Sequence, residues 1–225
     1  MTRMRGKLAS AFLILCLAAS GQAFSQSKIS PIPDGTLSAN IYTNDALGLR
    51  FEFPEGWTPT PDPKGPVAID WRGPNKPANQ CSRILLSLEA PGKVEGRFNS
   101  IAILLAIDPG CIAAAPFPQS LNDNSEIAKV SKQIGKCFSY TPFMSPFGNQ
   151  VHPFTQQGRV IIGTQGTVLI NALESPGKKE PLDVNTSLTF TESKGYWIAW
   201  GFMADAHSTE ELANVKLTFN GAAPQ

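Results

Sequence analysis

Tyr196-Trp197-Ile198-Ala199-Trp200-Gly201-Phe202-Met203-Ala204 is the stretch that decides the fold class. Successive side chains of a strand point to opposite faces. Tyr196, Ile198, Trp200 and Phe202 therefore share one face, and Trp197, Ala199, Gly201 and Met203 share the other. Both faces are apolar, so the strand belongs inside a sheet covered on both sides. The run from Ile101 to Asp108 reads the same way, with Ile101, Ile103, Leu105 and Ile107 against Ala102, Leu104 and Ala106. Leu49-Arg50-Phe51-Glu52-Phe53 differs. It alternates apolar and charged with period two, which marks a half-exposed strand with Leu49, Phe51 and Phe53 turned inward.

Working outward, Ile84 to Glu89 is a further strand. Arg159 to Ile162 and Thr167 to Asn171 read as two short strands around a turn at Gly163-Thr164-Gln165-Gly166. Thr186 to Thr191 joins the Tyr196 strand through Ser193-Lys194-Gly195. The period changes to helical between Leu121 and Ile134, where Leu121, Ile127, Val130 and Ile134 fall on one side. Ser120 with Asp123 has the form of a capping box, and Gly135 stands where a helix-ending glycine belongs. Ser208-Thr209-Glu210-Glu211 has the same box form and opens a short helix with Leu212 and Val215 inward. The result is an α+β fold: a single antiparallel β-sheet of about eight or nine strands, with two helices packed against it.

Residues 1–23 have the form of a signal peptide, 24–40 are a polar lead, and 41–221 make a single domain. Arg3, Arg5 and Lys7 precede Leu8 to Ala19, a charge-free apolar run well short of the ~20 residues needed to span a bilayer. Small residues set cleavage after Ala23 or after Ser25. The expected location is secreted or periplasmic. Cys16 follows Leu13, Ile14 and Leu15, which is not a lipid-attachment pattern, and no other stretch is apolar enough to span a membrane.

The chain has 19 basic and 18 acidic residues, and removing the leader leaves a slight acidic excess. That balance excludes a generic nucleic-acid binder, which gains affinity by neutralising phosphates. With 42% apolar and 16% charged residues, the composition excludes a disordered chain. Only two histidines occur, His152 and His207, too few for a zinc site of three or four clustered ligands. No phosphate-binding glycine loop, nucleophile elbow or metalloprotease motif is present. Neither a cofactor nor catalysis is expected. A dyad of Cys137 and His152 is the enzymatic alternative, as a hydrolase or thiol enzyme, and it requires a pocket that collects both with an acid. Asn185-Thr186-Ser187 matches a glycosylation sequon.

Residues 138–158 show no clean period and are rich in proline and aromatic side chains. A segment of that length without regular structure is often functional. Phe143, Met144, Phe147, His152 and Phe154 are the expected binding residues, with the proline-stiffened stretch 58–66 as a second loop. Seven prolines fall between residues 54 and 77. The face of Tyr196, Trp200 and Phe202 is expected to be core. If it lines a cavity instead, a small apolar-ligand carrier is indicated.

Two segments resemble the PsbP-like family. The first is Tyr42-Thr43-Asn44-Asp45-Ala46-Leu47-Gly48-Leu49 through Phe53-Pro54-Glu55-Gly56-Trp57. The second is Gly195-Tyr196-Trp197-Ile198 to Ala204, followed by Glu210-Glu211-Leu212 and Leu217-Thr218-Phe219. The resemblance covers the two ends of the domain. It implies an α/β/α sandwich and a non-enzymatic accessory or binding role. The expected partner is an unknown protein or a small apolar ligand in the envelope. It supplies no catalytic residue.

Cys81, Cys111 and Cys137 remain beyond the leader. In an exported protein a disulfide is expected. If the strands Ile84–Glu89 and Ile101–Asp108 form a hairpin, Cys81 faces the neighbourhood of residue 110, next to Cys111. Cys81–Cys111 is therefore the expected bridge with Cys137 free, and Cys111–Cys137 is the second pairing.

Overall fold

The computed structural model describes residues 32, 34–59, 81–92, 99–138, 151–175 and 178–220. In chain order the elements are β1 (Thr36–Ser38), β2 (Ile41–Asn44), a 3-10 turn (Asp45–Leu47), β3 (Leu49–Glu52), β4 (Thr58–Pro59), β5 (Ser82–Glu89) and β6 (Ile101–Ile107). Then follow α1 (Asn124–Phe138), β7 (Val151–Gln156), β8 (Arg159–Ser175), β9 (Lys178–Ser193), β10 (Tyr196–Ala204), α2 (Ala206–Leu212) and β11 (Lys216–Phe219).

Among the described residues the chain is mostly β with two helices, but the strands make two antiparallel sheets rather than the expected single one. One has four strands in the order β1-β2-β3-β11, and the other seven in the order β4-β5-β6-β10-β9-β8-β7. The reason lies in β3. Arg50 and Glu52 leave it one apolar face, so it cannot sit among strands buried on both sides. It pairs with β11, Phe51 opposite Leu217, and the small sheet lays its inner face on the large one.

β6 and β10 pair through the middle of the large sheet, from Trp197 opposite Ile107 to Met203 opposite Ile101. Their two faces feed two cores, as the alternation predicts. Ile103, Leu105, Ile107, Trp197 and Ala199 meet Val130 and Ile134 of α1. Ala102, Leu104, Ala106, Ile198 and Trp200 meet Tyr42, Leu47, Leu49, Phe51 and Phe53 of the small sheet region. The layers are thus helix, large sheet, and small sheet with α2. β1 and the buried Ile32 fall inside the expected polar lead.

Several local expectations are corrected. Residues 163–166 are not a turn, because β8 runs through them and pairs with β9 along its length. The turn lies at Gln157 and Gly158, both at positive φ, 51° and 72°. Two such residues between paired strands give the tight hairpin whose twist matches β-structure. Gly163 is instead a point of close approach: a Cβ there would lie 3.0 Å from Thr189 Cγ2 and 3.4 Å from Phe154 Cε1. Residues 151–156 of the expected loop are strand β7, paired with β8. Residues 139–150, with Phe143, Met144 and Phe147, lie outside the described residues, as do 60–80.

α1 begins at Asn124 and passes through Gly135 to Phe138, so neither the Ser120 cap nor the Gly135 stop holds. Asp123 accepts from the Ser120 and Gln119 amides at 2.9 and 3.1 Å, which closes a turn ahead of the helix. The cap of α2 is Asp205, whose carboxylate accepts from the Ser208 amide at 2.8 Å; Ser208 itself is buried one turn in.

Cys81 and Cys111 form a disulfide, with Cα atoms 5.4 Å apart. Ser82 faces Ile107, and a bulge between Ile84 and Leu86 shifts the register beyond it. The Asp108 amide donates to the Cys81 carbonyl at 2.8 Å. Cys81 therefore stands opposite Asp108, and the turn after Asp108 folds Cys111 back to reach it. The Asp108 carboxylate holds that turn by accepting from Gly110 N at 2.9 Å and Cys111 N at 3.2 Å.

Candidate functional site

The small sheet covers the Ile198–Trp200 face of β10 only up to β11, its edge strand. Phe51 backs Trp200, with ring centroids 4.6 Å apart. The next strands across the large sheet, β9, β8 and β7, continue that face with Ser187, Thr189, Thr191, Ile161 and Phe154. Between them and the segment from Leu212 to Leu217 lies a cavity of about 170 Å³. Ile198 and Trp200 line one side, and Leu212, Ala213, Val215 and Leu217 line another. Phe154, 41% exposed, stands at the opening to solvent with Gln156 beside it.

Each wall has a local cause. α2 is short because Asp205 starts it and the chain leaves it after Leu212, which is buried, to return as β11. Trp57 and Glu211 fix the far side of α2: the indole Nε1 donates to Glu211 Oε2 at 2.8 Å. Gly163 leaves room for the Phe154 ring to lie across β8.

The polar side chains of the cavity are the hydroxyls of Ser187, Thr189 and Thr191, with the Gln156 amide at the mouth. Thr189 Oγ1 donates to the Trp200 carbonyl at 3.1 Å, and Thr191 Oγ1 donates to the Val160 carbonyl at 3.0 Å. Each has used its one proton and keeps lone pairs, so both can act only as acceptors in these positions. Among the described residues that line the cavity, none carries a charge. Nearby, Arg159 is buried, donates from Nη1 to the Glu192 carbonyl at 2.9 Å and lies 4.7 Å over the Phe219 ring. Burial lowers its pKa, partly offset by Glu192. Its contacts are with its own fold, and it does not line the cavity.

Of the expected binding residues, the structure brings Phe154 to this cavity. His152 lies two residues earlier on β7, exposed and outside the lining. Cys137 is in the last turn of α1, and among the described residues that line the cavity none is cysteine, histidine or acid. Trp200, expected to be core, is both core and cavity wall. The residues missed were Ser187, Thr189 and Thr191. The signal was present: in Ser187-Leu188-Thr189-Phe190-Thr191 hydroxyls alternate with large apolar residues, so one face of β9 leaves the core. Asn185 of the sequon is paired within the sheet to Thr167 and Ala204, and its amide donates to Thr209 Oγ1 at 3.2 Å. Thr186 is buried, so the sequon is part of the fold. Among the described residues no three of His, Cys, Asp and Glu group as metal ligands, and no helix is long and apolar enough to cross a membrane.

No protein-family profile matches the chain, and no curated protein does. Among solved structures it is similar to the solution structure of cyanobacterial PsbP (CyanoP) from Synechocystis sp. PCC 6803, at 14% identity and a TM-score of 0.40. The match covers 84% of this chain and 97% of that one.

Proposed function

We propose that this chain is a non-catalytic binding protein that works outside the reducing cytosol and holds a small molecule in the cavity beside Trp200. One observation carries the reading. The aromatic face of β10, which a fully covered sheet would bury, instead borders a cavity of about 170 Å³ with Phe154 41% exposed at its mouth. An engineered apolar cavity of roughly 150 Å³ admits benzene, so the space suits a single ring. The described residues of the lining include hydroxyls but no base to activate one, which favours holding a ligand over transforming it. The Cys81–Cys111 bridge fits an exported protein, because such bonds persist in oxidising compartments.

Xenon tests the cavity without assuming a ligand. In methyl-labelled full-length protein under xenon pressure, the methyl resonances of Ile161, Ile198, Leu212 and Leu217 are expected to shift. In Val215→Trp, which fills the space, those shifts should vanish. Unchanged methyl resonances in the wild type would remove the cavity as a binding site.

A further inference from the structure

The cavity's polar groups say more than its size. Resting on the binding reading above, we infer that the site selects an uncharged, ring-sized molecule carrying an O–H or N–H donor: a phenol, an aryl alcohol or a ring amide.

Two observations converge on this class. The first is charge. The described residues of the lining include no cation and no anion. A carboxylate or ammonium group entering there would shed water and meet no opposite charge, which is strongly unfavourable. The match is neutral cavity to neutral ligand.

The second is the direction of the hydroxyl bonds. The Thr189 and Thr191 protons are already given to the backbone carbonyls of Trp200 and Val160, at 3.1 and 3.0 Å. Those carbonyls belong to strands β10 and β8 on either side of β9, so the sheet itself sets the polarity of the hydroxyls. Thr189 stands opposite Trp200 and Thr191 opposite Ile198, whereas Ser187 lies further along β9 and Gln156 at the mouth, so what the wall beside Trp200 offers a guest is acceptor capacity. A guest that only accepts, such as an ether, seated against Thr189 and Thr191 would have to take a proton from a carbonyl that is then left without it. A guest that donates costs the sheet nothing. The ring has an apolar seat against Trp200, Ile198 and Ile161, and aromatic rings pair favourably when offset or tilted.

The experiment compares near-isosteric rings on the full-length, disulfide-bonded protein: phenol, toluene, anisole, benzoate and benzylammonium. Binding is read from chemical-shift titration of the same cavity methyl groups. Phenol is expected to bind roughly 3- to 10-fold more tightly than toluene or anisole, the range that one net hydrogen bond supplies. Benzoate and benzylammonium should give no saturable shift. In Thr189→Val, which keeps the shape and removes the oxygen, the phenol-to-toluene ratio should fall toward one while toluene still binds. Thr191→Val serves the same purpose if Thr189→Val does not fold. Equal binding of phenol and toluene, or any preference for anisole or a charged ring, overturns the donor inference but leaves the cavity reading standing if xenon shifts the methyls. If xenon shifts none of them, the cavity reading itself falls.

Discussion

Tyr42 shows how one side chain is shaped by its surroundings. It is a buried residue of β2 in the small sheet's first hairpin, and Asn44 Nδ2 donates to its hydroxyl at 3.3 Å. Gly35 lies against it so closely that a Cβ there would overlap both the Tyr42 ring and the Thr43 carbonyl. Burial raises the Tyr42 phenol above its ordinary value of 10.0, opposed by its bond with Asn44. The folded protein therefore keeps this proton longer than the unfolded chain does. Below 10.0 both states hold it and the contribution is constant; above 10.0 the unfolded state ionises first, and stability falls as pH approaches the folded value. Urea midpoints from about pH 8 to about pH 11 should drop at the alkaline end, and Tyr42→Phe should flatten part of that drop. An equally steep fall in both proteins would show that Tyr42 is not the group responsible.

At the scale of elements, what could be read from the sequence depended on whether a signal was local. β6 and β10 were legible because their alternation is complete within each strand. The bridge from Cys81 to Cys111 was legible because both residues flank one hairpin. The division into two sheets was not, because β3 finds its partner β11 at the other end of the domain, and nothing near Phe51 encodes Leu217. β7 was hidden because Val151-His152-Pro153-Phe154-Thr155-Gln156 contains a proline and has no period; an edge strand tolerates both. Gly163 and Gly166 drew the turn to the wrong place, since a glycine that permits close approach looks the same in sequence as one that permits a turn. In the candidate site, Phe154 and Trp200 were legible as aromatics, whereas the hydroxyl ladder of β9 needed a neighbouring strand to give it meaning.

The bridge itself makes a prediction at this scale. It joins residues 30 apart and anchors the turn after β6. The chain from there to Pro116 is then tied to α1 by Gln133, whose Oε1 accepts from Ala115 N at 3.1 Å and whose Nε2 donates to the Ile112 carbonyl at 3.3 Å. A loop of that size corresponds to roughly 3–4 kcal/mol in the chain-entropy account. Cys81→Ser with Cys111→Ser should lower the unfolding free energy by about that amount, and amide exchange should rise first at residues 110–115. A change below about 1 kcal/mol would mean that the two cysteines add little beyond packing.

For the whole molecule, the decisive contact is the one that unites the two sheets. Phe51 is fully buried and meets Trp200 at 4.6 Å between ring centroids and Phe53 at 6.3 Å. Another tie runs the same way: Ser193 Oγ of β9 donates to the Leu47 carbonyl at 2.8 Å. The small sheet has four strands and one apolar face, so it has no core apart from the one it shares. Two layers that share a core should unfold together. Phe51→Ala removes the ring at the centre of that core and should cost about 3–5 kcal/mol, the range for a buried aromatic truncated to alanine. Urea unfolding followed by far-ultraviolet circular dichroism, which reports all strands, should still coincide with unfolding followed by tryptophan fluorescence, which reports the rings around Trp200. If instead the amides of β3 and β11 exchange freely while those of β6 and β10 stay protected, the small sheet is a separable layer. The cavity would then be bounded by an element that comes and goes. With the layers coupled, Phe51 holds Trp200 in place from behind, and the wall of the cavity is as stable as the protein.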